Sequence, residues 1–229
     1  MTGGSTFDRV AATYEKTIPP HVTEHYLEKR VAFACRTWPR GSHLLDFGCG
    51  TGRLAGALTD AGFRVTGIDR SIGMLREASR RRIAAACASA EALPWASGTF
   101  DGVMTVAVMH HLADAALVAA GVSEMVRVTR AGGQVVVWDH NPLNPYWPFF
   151  MWRLPQDDGS ERLIGRRELR RCAAAAGAEV VRIDGLGWIP DFVPAPLLRA
   201  AQSIERTIER IPGSGWLAAH NVVVLRNAP

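Results

Sequence analysis

The sequence predicts an open α/β fold, a mostly parallel sheet with helices on both faces. Three observations carry this. Short apolar, β-branched runs alternate with helical stretches from about residue 43 to residue 184, the pattern of a parallel sheet covered on both sides. The first run ends on Gly48-Cys49-Gly50-Thr51-Gly52, a turn whose glycines let the backbone fold tightly and approach a ligand. The 229 residues are 48% hydrophobic and 21% charged, enough apolar material for one large core, and no linker-like stretch divides them. A single domain over residues 1–229 is expected: a cover at 1–40, a core at 41–184, an inserted segment at 185–219 and a final strand at 220–229.

Each element follows from local chemistry. His43–Phe47 is a short apolar run that stops at glycines, the first strand, and Arg53–Ala61 is the helix after it. Arg64–Ile68 is the second strand, closed by Asp69; Ser71 is an N-cap for a helix running to about Arg82. Ile83–Ala88 is a weaker third strand, because alanine is a poor strand former. Phe100–Val108 is the fourth strand, and the helix Asp114–Thr129 stops near Gly132-Gly133. Gln134–Trp138, with three consecutive valines, is the fifth strand. The helix Arg166–Ala176 ends on Gly177, a helix-stopping glycine. Glu179–Asp184 and the β-branched Asn221–Arg226 are the sixth and seventh strands.

Three segments stand outside the alternation. A helical stretch near Val22–Thr37 precedes the first strand. Pro196–Ile211 places Leu197, Ala201, Ile204, Ile208 and Ile211 on one helical stripe, with Arg199, Arg206 and Arg210 elsewhere around it. After the fifth strand, Tyr146, Trp147, Phe149, Phe150 and Trp152 form an aromatic segment that Pro142, Pro145, Pro148 and Pro155 keep from being a long helix.

Charge and cysteines exclude several classes. The net charge of +4 is too mild to imply nucleic acid. Arg76, Arg80, Arg81 and Arg82 form a basic run, read as a solvated helix face, with a phosphate-binding patch as the alternative. Cys35, Cys49, Cys87 and Cys172 have neither C-x-x-C nor metal-ligand spacing; they read as small buried residues in a reducing compartment. With no signal-like start and no apolar stretch of about 18 residues, a cytoplasmic protein without a transmembrane helix is expected.

In an open parallel sheet, ligands bind outside the carboxyl ends of the strands. Gly48-x-Gly50-x-Gly52 sits at such an end, with spacing unlike the G-x-G-x-x-G of dinucleotide enzymes. Asp69 closes the second strand 17 residues after Gly52, where a carboxylate can accept both ribose hydroxyls of an adenosyl ligand. Asp46, just before the glycines, either meets an ammonium group or only orients the loop. Those partners suit S-adenosylmethionine (SAM), whose methionine end carries an ammonium and a carboxylate.

On these residues the chain resembles the class I SAM-dependent methyltransferases, in the group of ubiquinone and menaquinone biosynthesis methyltransferases. The matching stretches are Leu44–Gly52, Val65–Asp69, Ala90–Trp95, Phe100–Val103 and Glu124–Gly133, with Phe7, Asp8, Ala11, Ala12 and Tyr14 similar to the group's entry helix. The resemblance implies a Rossmann-like seven-stranded sheet with the last strand antiparallel, a lid over the site, SAM as cofactor and S-adenosylhomocysteine as product. It implies that Asp46, Gly48 and Gly50 flank the methionine end, with Cys49 and Thr51 contributing backbone. Asp69 then holds the ribose, Arg70 and Met74 lie near the adenine, and Ala90 and Glu91 line its other edge. Val106 and Ala107 contact the cofactor, and Tyr14 covers it. Ser89 stands where many relatives carry an aspartate for the adenine amino group, which leaves Ser89 and Glu91 as alternatives.

Methyl transfer from a sulfonium needs alignment and exclusion of water more than a strong base. His140, beside Asp139 and Asn141, is the preferred base candidate, with a hydrogen-bonded loop histidine as the alternative. His110 and His111 at the end of the fourth strand are further candidates, or structural. His21 and His25 stand at i and i+4 without further ligands, so no metal is expected. His21, His140, Asn141, Trp147 and Trp188 are expected to shape the acceptor site. Its aromatic character points to a small-molecule acceptor that is hydrophobic, aromatic or lipid-linked, methylated on oxygen, carbon or nitrogen, and it is compatible with peripheral membrane contact. The competing readings are a SAM-binding protein that acts by interaction without turnover and, lacking G-x-G-x-x-G and a Tyr-Lys pair, a nicotinamide oxidoreductase.

Overall fold

The computed structural model describes residues 6–147, 159 and 161–228; Pro148, Phe149, Phe150, Trp152 and Pro155 of the aromatic segment lie outside the described residues. The strands are β1 (His43–Phe47), β2 (Arg64–Asp69), β3 (Ala85–Cys87), β4 (Phe100–Val106), β5 (Thr129–His140), β6 (Ala178–Leu186) and β7 (His220–Asn227). They form one sheet in the order β3-β2-β1-β4-β5-β7-β6. The pairs from β3 to β5 are parallel, and β7 runs antiparallel to both β5 and β6. Strand order reverses at β1 and β4, which opens a crevice at their carboxyl ends.

Alternate residues of the central strands face opposite sides, as a pleated strand requires. Leu45, Val103, Val135, Val137, Val223 and Leu225 pack on one face with Val118, Val122 and Met125 of α5 (Ala115–Val128) and Leu169 of α6 (Arg166–Ala175). Leu44, Met104, Val136, Trp138, Val222 and Val224 pack on the other with Phe33 and Ala34 of α2 (Pro20–Thr37) and Leu58 of α3 (Arg53–Asp60). Both faces are therefore dry, and the functional surface is left to the strand ends. Here α4 (Ile72–Arg80) starts from Ser71, whose hydroxyl accepts the Met74 amide. Asp114 caps α5 by accepting the Leu117 amide.

Several expectations are corrected. β3 has three residues rather than six, and Cys87 on this edge strand is exposed, as is Cys35 on α2; only Cys49 and Cys172 are buried. β5 begins at Thr129, five residues early: Gly133 has no room for a side chain between Thr129 and the Asp101 carbonyl, and the pairing with β4 bulges instead of ending. Arg81 is not a free surface cation. Its guanidinium donates to the Thr51 carbonyl at 3.0 Å and to Glu15 at 2.9 Å.

The helix expected within Pro196–Ile211 is α7 (Leu198–Ile208). Three residues of its apolar stripe, Leu197, Ile204 and Ile211, are each more than half exposed, while Ala201 and Ile208 are half-buried. The side turned inward is polar. Buried Glu205 accepts hydrogen bonds from His25 at 2.8 Å, Lys29 at 2.9 Å and the Trp188 amide at 2.8 Å. Glu209, just past the helix, accepts from Lys29 and the Gly187 amide. A buried carboxylate left without a counter-charge costs several kcal/mol, so pairing Glu205 with Lys29 sets which side of the helix turns inward. Desolvation works against the Glu205 carboxylate, but its three donors hold the pKa down at about 2.

Candidate functional site

Two cavities meet at the carboxyl ends of β1 and β4. The first, of about 620 Å³, is bounded by Phe7, Gly48, Gly50, Asp69, Arg70, Met74, Ser89, Ala90, Glu91, Val106, Ala107, His111 and Leu112 among others. The second, of about 330 Å³, is bounded by Tyr14, Tyr26, Arg30, Asp46, Gly48, Cys49, Gly50, Thr51, His110, His140, Asn144, Trp147, Trp188 and His220 among others. Tyr14, Gly48, Gly50, Val106, Ala107 and His111 border both.

The turn between the cavities is held open by backbone geometry. Gly48 has φ +78, and a Cβ there would lie 2.3 Å from a methyl of Val108. Gly50 has φ +52 and open space where its side chain would be, so the loop presents bare backbone to the junction. Ala107 has φ +55, a left-handed conformation that is uncommon for a residue with a Cβ. Asp69 accepts the Gly50 amide on one carboxylate oxygen and the Ser71 amide on the other, both at 2.8 Å, which fixes β2 to the loop. Burial raises the Asp69 pKa against these amide bonds.

Asp46 and Arg30 form an unsatisfied pair of opposite charges. Asp46 is buried with no partner on Oδ2, and burial, reinforced by Asp69, pushes its pKa up to about 7. Arg30 stands with its guanidinium carbon 5.9 Å from the ring centroids of both Tyr26 and Trp138, with Nε unpartnered. Burial pulls its pKa below the ordinary arginine value. An acid with one oxygen unpartnered and a cation without a bound anion, beside an open glycine turn, fit a zwitterionic amino-acid group such as the methionine end of SAM. The N-terminal segment fastens over this region. Asp8 accepts from the Ser71 hydroxyl and the Gly73 amide, and Glu15 accepts from the Thr51 hydroxyl at 2.6 Å.

The histidines separate by environment. His110 is buried with Nδ1 2.6 Å from Asp139, which also accepts the Met109, His110 and His140 amides. That network gives His110 a structural job. His111 borders both cavities, packed edge-on to Phe7 and 3.9 Å from Glu161. His140 lines the second cavity, stacked on Trp147 at 3.6 Å with Nδ1 unpartnered. Burial, with His110 and His220 beside it, drives its pKa well down, so the ring is neutral at physiological pH. His220 lies directly opposite His140 across the β5–β7 pair and is likewise neutral, its pKa lowered by burial to about 3.

Trp147 and Trp188 line the second cavity, and His21 and Asn141 lie away from it. His21 bonds the Val193 carbonyl at 2.6 Å. Asn141 spends its amide on the Trp216 and Ala218 carbonyls, tying the turn after β5 to the segment before β7. The sequence reading missed Arg30, Tyr26 and His220. Arg30 and Tyr26 sit on a helix whose inward face only the packing reveals, and His220 gains meaning only through its register with His140.

Residues 45–137 match a family described as "Methyltransferase domain". A demethylmenaquinone methyltransferase of Renibacterium salmoninarum is 32% identical over 167 residues, covering 65% of this chain and 68% of that protein. The chain belongs to the class I SAM-dependent methyltransferases related to the demethylmenaquinone methyltransferases. Another such protein, from Beutenbergia cavernae, is 40% identical over 111 residues, 48% of this chain, and the match spans 45% of its length. Among solved structures, a SAM-dependent methyltransferase of Thermotoga maritima, titled a possible histamine N-methyltransferase, superposes with a TM-score of 0.72 at 18% identity, covering 97% of this chain and 98% of that one. At that identity the likeness establishes the fold. The family's cofactor is SAM. No helix among the described residues is long and apolar enough to cross a membrane.

Proposed function

We propose that this methyltransferase moves the methyl group of SAM to a hydrophobic, lipid-linked small molecule bound in the aromatic cavity. The observation that carries the reading is the junction at Gly48, Gly50 and Ala107, where a cavity bordered by Asp69 opens onto one walled by Tyr26, Trp147 and Trp188. Bound SAM supplies a methyl group already activated by its sulfonium. Asp69 receives the ribose hydroxyls, Met74, Ala90 and either Ser89 or Glu91 flank the adenine, and Asp46 and Arg30 take the ammonium and carboxylate ends. Tyr14, held between the fastened Asp8 and Glu15, keeps water from the junction. The neutral imidazole of His140, on the wall of the aromatic cavity, accepts a proton from the acceptor.

The test is a membrane extract incubated with the protein and methyl-labelled SAM, then partitioned between water and organic solvent. Label in the organic phase is the expected result. Label confined to water-soluble products would overturn the lipid-linked acceptor, and SAM binding without labelled product in any extract would favour an interaction role without turnover.

A further inference from the structure

We propose that the segment between β6 and β7 is a docking surface for an anionic lipid bilayer, with the outer side of α7 lying on the headgroups. Six of the eight large apolar side chains that are more than half exposed among the described residues fall in this segment: Phe192, Leu197, Ile204, Ile211, Trp216 and Leu217. An ordinary soluble surface scatters such residues singly, and their concentration marks an interaction site.

The charges name the occupant. Between β6 and β7 the acidic side chains are Asp191, Glu205 and Glu209; Asp191 is half-buried and accepts from Tyr146, and both glutamates are turned inward onto Lys29. The basic ones, Arg199, Arg206 and Arg210, are all exposed. The surface offered to solvent is therefore apolar and purely cationic, which suits anionic headgroups over an acyl layer and does not suit a second copy carrying the same charge. Helical spacing arranges it further. Exposed Ala200, Ser203 and Thr207 run along the outermost line, with the Leu197–Ile204–Ile211 row on one shoulder and the arginines on the other. Small residues at the centre let both shoulders reach the interface together, and Trp216 is a residue type that prefers this depth.

The surface adjoins the aromatic cavity. Asn144, on the cavity wall, donates to the Leu217 carbonyl at 2.6 Å, and Tyr146, also on that wall, donates to Asp191 just ahead of Phe192. A lipid-linked acceptor would thus enter from the bilayer on which the enzyme rests. That purpose rests on the proposed function, whereas the docking is read without any acceptor, so either can fail while the other stands.

Flotation with vesicles of phosphatidylcholine mixed with phosphatidylglycerol, against phosphatidylcholine alone, tests the surface. The wild-type chain is expected to float with the anionic vesicles, and acyl-brominated lipid in them is expected to quench part of its tryptophan fluorescence. Replacing the three arginines by glutamine should lower anionic-vesicle binding about a hundredfold, at about fivefold per arginine. The triple substitution Leu197→Asp, Ile204→Asp, Ile211→Asp should abolish vesicle binding and leave the calorimetric affinity for SAM within about twofold of wild type, since none of the three lines either cavity. Wild-type protein that stays with the soluble fraction and is not quenched overturns the proposal. So does a triple aspartate variant that floats as well as wild type, or a wild-type dimer that this variant dissolves in sedimentation.

Discussion

Around the SAM-side cavity the walls come from strand ends and the turns directly after them: Gly48 and Gly50 after β1, Asp69 and Arg70 at β2, Ala90 after β3, Val106 and Ala107 at β4. Around the aromatic cavity, Tyr26, His140, Trp147, Trp188 and His220 come from α2, the end of β5, the turn after it, the stretch after β6 and the start of β7. One region is built mainly from neighbouring strand ends fixed by backbone bonds, closed by Phe7 and Tyr14 of the N-terminal segment and by Glu161. The other is stitched by side chains across long separations, such as His25 to Glu205 and Asn144 to Leu217. The first resists single changes poorly because its atoms are packed to contact, and the second has freedom to change specificity without disturbing the core.

The largest expected effect sharpens that contrast. Gly48→Ala combines a left-handed φ with a Cβ 2.3 Å from Val108, a cost of about 3 kcal/mol from overpacking and backbone strain together. SAM affinity should fall by more than about a hundredfold in a calorimetric titration, and Val108→Ala in the same chain should restore part of it. An unchanged affinity would break the idea that this turn is packed to contact. On the aromatic side, His140→Ala should lower kcat by about a hundredfold, the low end for a lost proton acceptor, while SAM affinity stays within about twofold. The reverse pattern would move His140 to the cofactor's side.

Asp69→Ala should weaken SAM by about one order of magnitude or more, since a hydrogen bond to a charged group contributes roughly 1.5–3 kcal/mol, and should leave the KM for the acceptor unchanged. The smallest effect is a pH dependence. The folded pKa of Asp46 is raised to about 7, so the empty protein retains its proton below that pH. Pairing with an ammonium requires the carboxylate, so SAM affinity should rise as pH increases through about 7 and level off above it. Binding about tenfold weaker at pH 6 than on the plateau is expected, and Asp46→Asn should flatten the curve. A flat wild-type profile would detach Asp46 from the ammonium.

The same contrast explains what the sequence could reveal. The order of strands and helices, the cap at Ser71 and the glycine turn are local signals, and the structure has each in place. Where the residues at the cavities sit was legible for the strand-end set, from Asp46 through Ala107. For Pro196–Ile211 the periodicity reports that a stripe exists and not what lies under it. Lys29 and His25, about 180 residues earlier on α2, claim the polar side of that helix. His21 and Asn141 were drawn off the cavity by backbone carbonyls that no motif records. Arg30 is invisible for the same reason: nothing in α2 says which of its charged residues lacks a counter-ion until the sheet is laid beneath it.

Asp139 belongs to neither region alone. Its carboxylate gathers the amides of Met109 and His110 after β4 and of His140 at the end of β5, together with the His110 ring. It therefore ties the turn after β4 to the end of β5, beside the residues that border both chambers. Paired substitutions drawn one from each chamber should add their energies almost independently, and pairs that include Asp139 should not. A lineage changing its acceptor can rework the aromatic chamber residue by residue, so long as this one carboxylate is left alone.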